Sequence, residues 1–205
     1  MTPDLEFGDN SEVGFPFRFL LLAAIIGPVG AARAADPTKS IPAQAVITIK
    51  KTDLRAAACR RVVDPLDPNE TPYRVCPGVA GYSLALRPVD SGRMSIDIID
   101  PAQRTLPQDY TQTVTPHAST LGEEATWWFA GNSSVPIALV IPVQERNSAD
   151  DPAAITTTYS AVSKITPDAV CVTDRIAHTG RFNRAVRHAA LGATQRPCRN
   201  IKAAP

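Results

Sequence analysis

The sequence predicts an α+β domain: a mainly antiparallel β-sheet with one C-terminal helix packed on it, stapled by disulfides. Three observations carry that reading. From residue 44 to 165, short runs of alternating apolar and polar residues are separated by Pro- and Gly-rich links, the period-2 signature of strands. Towards the end, Phe182, Ala185, Val186 and Ala189 lie at i, i+3, i+4 and i+7, one helical stripe. The four cysteines are even in number and lack the close C-x₂-C pairs of structural zinc sites.

The chain opens on a targeting pattern. Residues 19–32, FLLLAAIIGPVGAA, form an apolar run of 14 behind Arg18, whereas about 20 apolar residues are needed to span a bilayer. Pro28 breaks the helix, and Ala32 and Ala34 are the small residues that signal peptidase reads. Residues 1–34 therefore read as a secretory signal cleaved after Ala34. Asp4, Glu6, Asp9 and Glu12 do not suit the cationic start of such a signal, which places the true translation start further in, near Val13. Residues 35–205 then make one domain with its own core, periplasmic or secreted, with no membrane span after cleavage.

QAVITIK (44–50) reads as a strand, followed by a turn of helix in TDLRAAAC; DPLDPNETP (64–72) is too proline-rich for regular structure. YRVC leads into CPGVAGYSLAL (76–86). A phosphate-cradling loop would need a helix after its glycines, but Tyr82, Leu84 and Leu86 alternate instead, so Pro77, Gly78 and Gly81 make a turn that Cys76 pins. RMSIDII (93–99) pairs with 82–87 as a hairpin, and 100–122 is aperiodic, the longest loop. EATWWF and VPIALVIPVQER form a second hairpin across AGNSS. On the latter strand Val135, Ile137, Leu139, Ile141 and Val143 share one face while Ala138 and Val140 occupy the other, so both faces are covered. ITTTYSAVSKI (155–165) is a neighbour or an edge. The helix, 181–191, ends at Gly192 as a C-cap.

Four cysteines allow three pairings. Cys59–Cys76 and Cys171–Cys198 are expected because each closes a short local loop, and the second would fasten the helix to the strand before it.

The order of these parts resembles small uncharacterised secreted or periplasmic proteobacterial proteins. The resemblance rests on Thr52-Asp53-Leu54 with Cys59, the CPG-x-x-GY run from Cys76 to Tyr82, Arg93, Trp127, Pro136 with Ala138, and the closing Cys–helix–Cys segment. It spans most of 46–199 and implies an exported, disulfide-held domain and no particular activity. Such proteins carry Glu-Trp-Arg where this chain has Thr126-Trp127-Trp128, which argues against a charged site there.

Several chemistries lack their residues. There is no G-x-S-x-G elbow, and GNSS is turn chemistry. Paired cysteines leave no free thiol nucleophile, and His117, His178 and His188 sit at no metal-ligand spacing, so neither a metal nor a cofactor is expected. Glu123 and Glu124 adjoin the tryptophan strand, as carboxylates adjoin aromatics in glycan-processing sites, but neighbours on a strand point to opposite faces. Trp127 and Trp128 divide between faces in the same way: a helix over the second face makes both core, whereas an open face leaves one as a contact for a ligand or partner. Residues 175–205 carry seven basic residues and no acid, and Arg181, Arg184 and His188 share a helix face. That face suits an envelope protein or an anionic envelope polymer; nucleic acid is disfavoured by export and by the absence of a recognised module. The expected role is a non-catalytic exported protein that binds or inhibits an envelope component. The alternative is a hydrolase of envelope polymers using dispersed carboxylates.

Overall fold

The computed structural model describes residues 46–63, 71–147, 151 and 153–200. The targeting segment and most of the proline-rich stretch 64–72 lie outside them. The described residues are mostly antiparallel β-structure with one C-terminal helix, as the alternation and the late stripe predict. The single sheet expected from the sequence is instead two sheets.

One sheet is a meander of five strands in chain order: β2 (Arg60–Val62), β3 (Tyr73–Pro77), β4 (Ser83–Pro88), β5 (Met94–Ile99) and β6 (Thr105–Pro107). The other has six strands. It runs β1 (Ile47–Asp53), β8 (Glu124–Ala130), β9 (Ala138–Arg146), β10 (Thr157–Ile165), β11 (Val170–Ala177), with β7 (Ala118–Leu121) also against β9. The expected long loop 100–122 therefore contains β6, a single helical turn α1 (Tyr110–Thr113) and β7. Their short runs carry too few residues for a period to be visible. β10 is not an edge, since both β9 and β11 pair with it.

The sheets bury a common core. Leu84, Leu86, Ile96 and Ile98 of the meander face Trp127, Phe129, Leu139, Ile141, Val143 and Val172 of the larger sheet. The CPG-x-x-GY run closes one end of this core. Ala80 and Gly81 both take positive φ, and Gly78 N–H bonds the Tyr82 carbonyl at 3.0 Å. A Cβ on Gly78 would meet that carbonyl oxygen at 2.5 Å and the Trp127 ring at 3.1 Å, so only glycine fits. The Tyr82 ring packs on Trp127 with centroids 5.7 Å apart.

β7 and β8 line successive stretches of one edge of β9, and the break between them falls at Pro142. Proline has no N–H to give to a ladder. There Gly122 approaches closely and donates its N–H to the Pro142 carbonyl at 2.7 Å.

Helix α2 (Phe182–Gly192) covers the outer face of the six-stranded sheet. Its packed stripe is Val186, Ala189, Ala190 and Ala193, displaced from the stripe read in the sequence. Ala185 is exposed and Phe182 half-buried. Nor is Gly192 a left-handed cap: its φ is −94°, and the chain runs on into a 3₁₀ turn, Ala193–Gln195. β9 is apolar on both faces as expected, but it starts at Ala138, with Val135 exposed and Ile137 packed on the helix side.

Both expected disulfides are present, Cys59–Cys76 and Cys171–Cys198. Cys59 sits one step beyond the Arg60↔Val75 pair, so the first bridges β2 and β3 directly. The second ties the chain after α2 back to β11, and Arg199 N–H extends that junction to the Val172 carbonyl at 2.7 Å.

Candidate functional site

Helix α2 divides the outer face of the larger sheet into two depressions. Along the β11 side runs a groove of about 530 Å³ lined by Arg181, Arg184 and His188 of the helix, together with Asp174, Ile176 and Arg196. The three sequence-expected residues therefore do converge. Helical spacing puts Arg181, Arg184 and His188 on one side. The Cys171–Cys198 bond returns the chain so that Arg196 joins them, a contribution that spacing within the helix could not reveal.

Within this groove Arg196 pairs with Asp174, and its Nη2 lies 3.2 Å from His188 Nδ1. A guanidinium only donates, so Nδ1 is the acceptor and His188 is held beside a cation. Arg181 and Arg184 make no ion pair among the described residues. The result is a surface with two uncommitted guanidinium groups over an apolar floor of Ile176, Ala185 and Ala189.

On the other side of α2, a cleft of about 420 Å³ opens between the helix and β8–β10. Its apolar walls are Trp128, Val140, Pro142, Phe182 and Val186. Ser160 Oγ lies 2.8 Å from His178 Nε2, and the imidazole stacks on Phe182 with centroids 4.2 Å apart. The sequence reading missed this pair. The two residues meet as diagonal neighbours of the β10–β11 ladder, and a register is not visible in either strand alone.

Burial lowers the pKa of His178 below the ordinary value near 6.5, because desolvation penalises the imidazolium. The unfolded chain therefore takes up this proton more readily than the folded one, so the neutral imidazole favours folding only above the unfolded value. Stability is expected to fall as pH drops through about 6.5 towards the lower folded pKa. A ¹H NMR titration of the His178 ring checks the midpoint, and His178→Gln should flatten this limb of the stability–pH curve. An unchanged limb in that variant contradicts the assignment.

A serine beside a neutral imidazole is a nucleophile–base pair, which needs a third group to orient the base and donors for an oxyanion. Neither is supplied by the described residues. No described residue bonds Nδ1, and Ser160 lies mid-strand between β9 and β11, where the ladders occupy the backbone amides that an oxyanion would need.

No protein-family model, curated protein or solved structure matches this chain.

The tryptophans divide between the faces as strand alternation requires, and the helix covers the second face. Trp127 is fully buried between the sheets and donates its Nε1–H to Thr52 Oγ1 at 2.9 Å, so it contacts no ligand. Trp128 is 7% exposed, packed under α2, and forms one wall of the cleft. Glu124 pairs with Lys51 at 2.8 Å on the surface.

Two other carboxylates do share a cavity. Asp100 and Asp168 line a space of about 200 Å³ at one end of the sheets, with Tyr82 and Arg104. Asp100 accepts the Arg104 backbone N–H at 2.8 Å and its Nε–H at 2.6 Å, and these bonds lower its pKa. A glycosidic general acid needs the opposite, a carboxyl kept protonated near neutrality. Among the described residues no three His, Cys, Asp or Glu side chains cluster as metal ligands, and no helix is long and apolar enough to cross a membrane.

Proposed function

We propose that this is a non-catalytic exported protein that binds an anionic envelope polymer along the Arg181–Arg184–His188 side of α2. One observation carries the reading: cations from two separate elements meet over an apolar floor, and the single acid among them, Asp174, is already paired with Arg196. Uncommitted guanidinium groups suit phosphate or carboxylate, which they grip in bidentate fashion. The two disulfides favour an oxidising compartment. The resemblance to small secreted proteobacterial proteins points the same way.

Binding to lipopolysaccharide, measured by isothermal titration calorimetry at two salt concentrations, tests this. Affinity should weaken as salt rises, because charge pairing at an exposed groove is screened. The double variant Arg181→Ala/Arg184→Ala should lose at least about tenfold in affinity, roughly 1.4 kcal/mol, with an unchanged unfolding midpoint. Equal affinity in the double variant removes the groove as the contact. Release of reducing ends from the polymer by the same preparation would favour the hydrolase alternative.

A further inference from the structure

We infer that the cleft on the other side of α2 is a binding site for a small carboxylate with an apolar body. Its volume of about 420 Å³ lies within the roughly 300–1,000 Å³ typical of sites for small molecules. The occupant's chemistry follows from what lines it. Trp128, Val140, Phe182 and Val186 present aromatic and aliphatic surface, which favours an apolar body by removing it from water. The polar groups are donors in excess: Arg187, the Asn183 amide and the Thr126 hydroxyl stand beside the Ser160–His178 pair, and no Asp or Glu lines the cleft.

The Arg187 guanidinium and the Trp128 indole N–H both lack a partner among the described residues. The indole Nε1–H of Trp128 is buried in a side chain more than nine-tenths covered, yet it bonds to no described residue. An unmet buried N–H costs about 1–3 kcal/mol. Trp127 makes the contrast, since its own Nε1–H is satisfied by Thr52. A cation at the rim, aromatic and aliphatic walls and no competing acid together complement one kind of ligand, a single carboxylate on an apolar frame. A cationic ligand would meet Arg187 unopposed, and a neutral one would leave the guanidinium unused.

This site stands independently of the polymer-binding groove, from which it is separated by the width of α2. With only two tryptophans in the chain, the indole N–H region of a ¹H–¹⁵N spectrum reads the cleft against an internal control. Titration with 4-phenylbutyrate should move the Trp128 resonance saturably and leave that of Trp127 in place. The isosteric alcohol, 4-phenylbutanol, should bind at least about tenfold more weakly. Arg187→Gln should bring the acid down to the affinity of the alcohol without changing the alcohol's own affinity. The Arg181→Ala/Arg184→Ala variant should bind the acid as the native protein does. Equal affinities for acid and alcohol, a parallel movement of both indole resonances, or no saturable movement at about 10 mM acid would each overturn the assignment.

Discussion

Reduction of both disulfides is expected to lower the unfolding free energy by about 6–7 kcal/mol. The chain-entropy model assigns about 3 kcal/mol to the 17-residue separation of Cys59 and Cys76 and about 3.5 kcal/mol to the 27 residues between Cys171 and Cys198. Domains of this size have about 5–15 kcal/mol in total, so the loss takes away roughly half or more of the stability. At a urea sensitivity of about 2 kcal/mol per molar, the midpoint should fall by about 3 M.

The two bonds should differ in where their loss is felt. Cys59–Cys76 joins two paired strands that keep their ladder without it. Cys171–Cys198 holds the segment that returns from α2 to β11, so Cys171→Ser/Cys198→Ser should raise amide exchange in Phe182–Gly192 before the sheets open. Urea curves with and without a phosphine reductant, joined to amide exchange, make the measurement. Coincident urea midpoints would show that the bridges add nothing to folding.

Trp127→Ala is expected to cost about 3–5 kcal/mol, the range for deleting a large aromatic side chain from a packed core. Nothing nearby collapses easily into the space. Tyr82 and Gly78 press on the ring from the turn, and Leu139 pairs with it across the β8–β9 ladder. The substitution also leaves the Thr52 hydroxyl, on a residue 4% exposed, without its indole donor. Thr52→Val, which removes only the acceptor and leaves the buried indole N–H unmet, should cost about 1–3 kcal/mol.

Trp128→Ala makes the informative comparison. It lies under the helix beside a cleft that already contains space, and its N–H forms no bond that could be lost. Its cost should be the smaller of the two. Urea unfolding of the three variants checks the order, and a Trp128→Ala variant less stable than Trp127→Ala would place the main core on the wrong face of the sheet.

Much of this architecture is legible in local patterns. Alternation along 83–88, 94–99 and 157–165 identifies strands because a half-buried strand repeats every two residues whatever it pairs with. Both disulfides follow from short loop closure, and CPG-x-x-GY reads as a turn because a strand, rather than a helix, follows its glycines. The charged face of α2 is legible too, since Arg181, Arg184 and His188 are spaced by the helix itself.

What stays hidden depends on partners distant in the chain. Alternation shows that a strand has an apolar face without showing what covers it, so it cannot separate one sheet from two. That division rests on β1 crossing to β8, with Ile47 opposite Ala130. The fate of Trp128, the meeting of Ser160 with His178, and the arrival of Arg196 beside His188 have the same origin. Each needs a strand register or a helix docking that no local period encodes. Taken alone, then, the sequence determined where the longer strands, the C-terminal helix and the CPG-x-x-GY turn lie, and which cysteines are near enough to bond. The tertiary structure alone decided which faces meet, because burial is a property of two surfaces and each stretch of chain specifies only one of them.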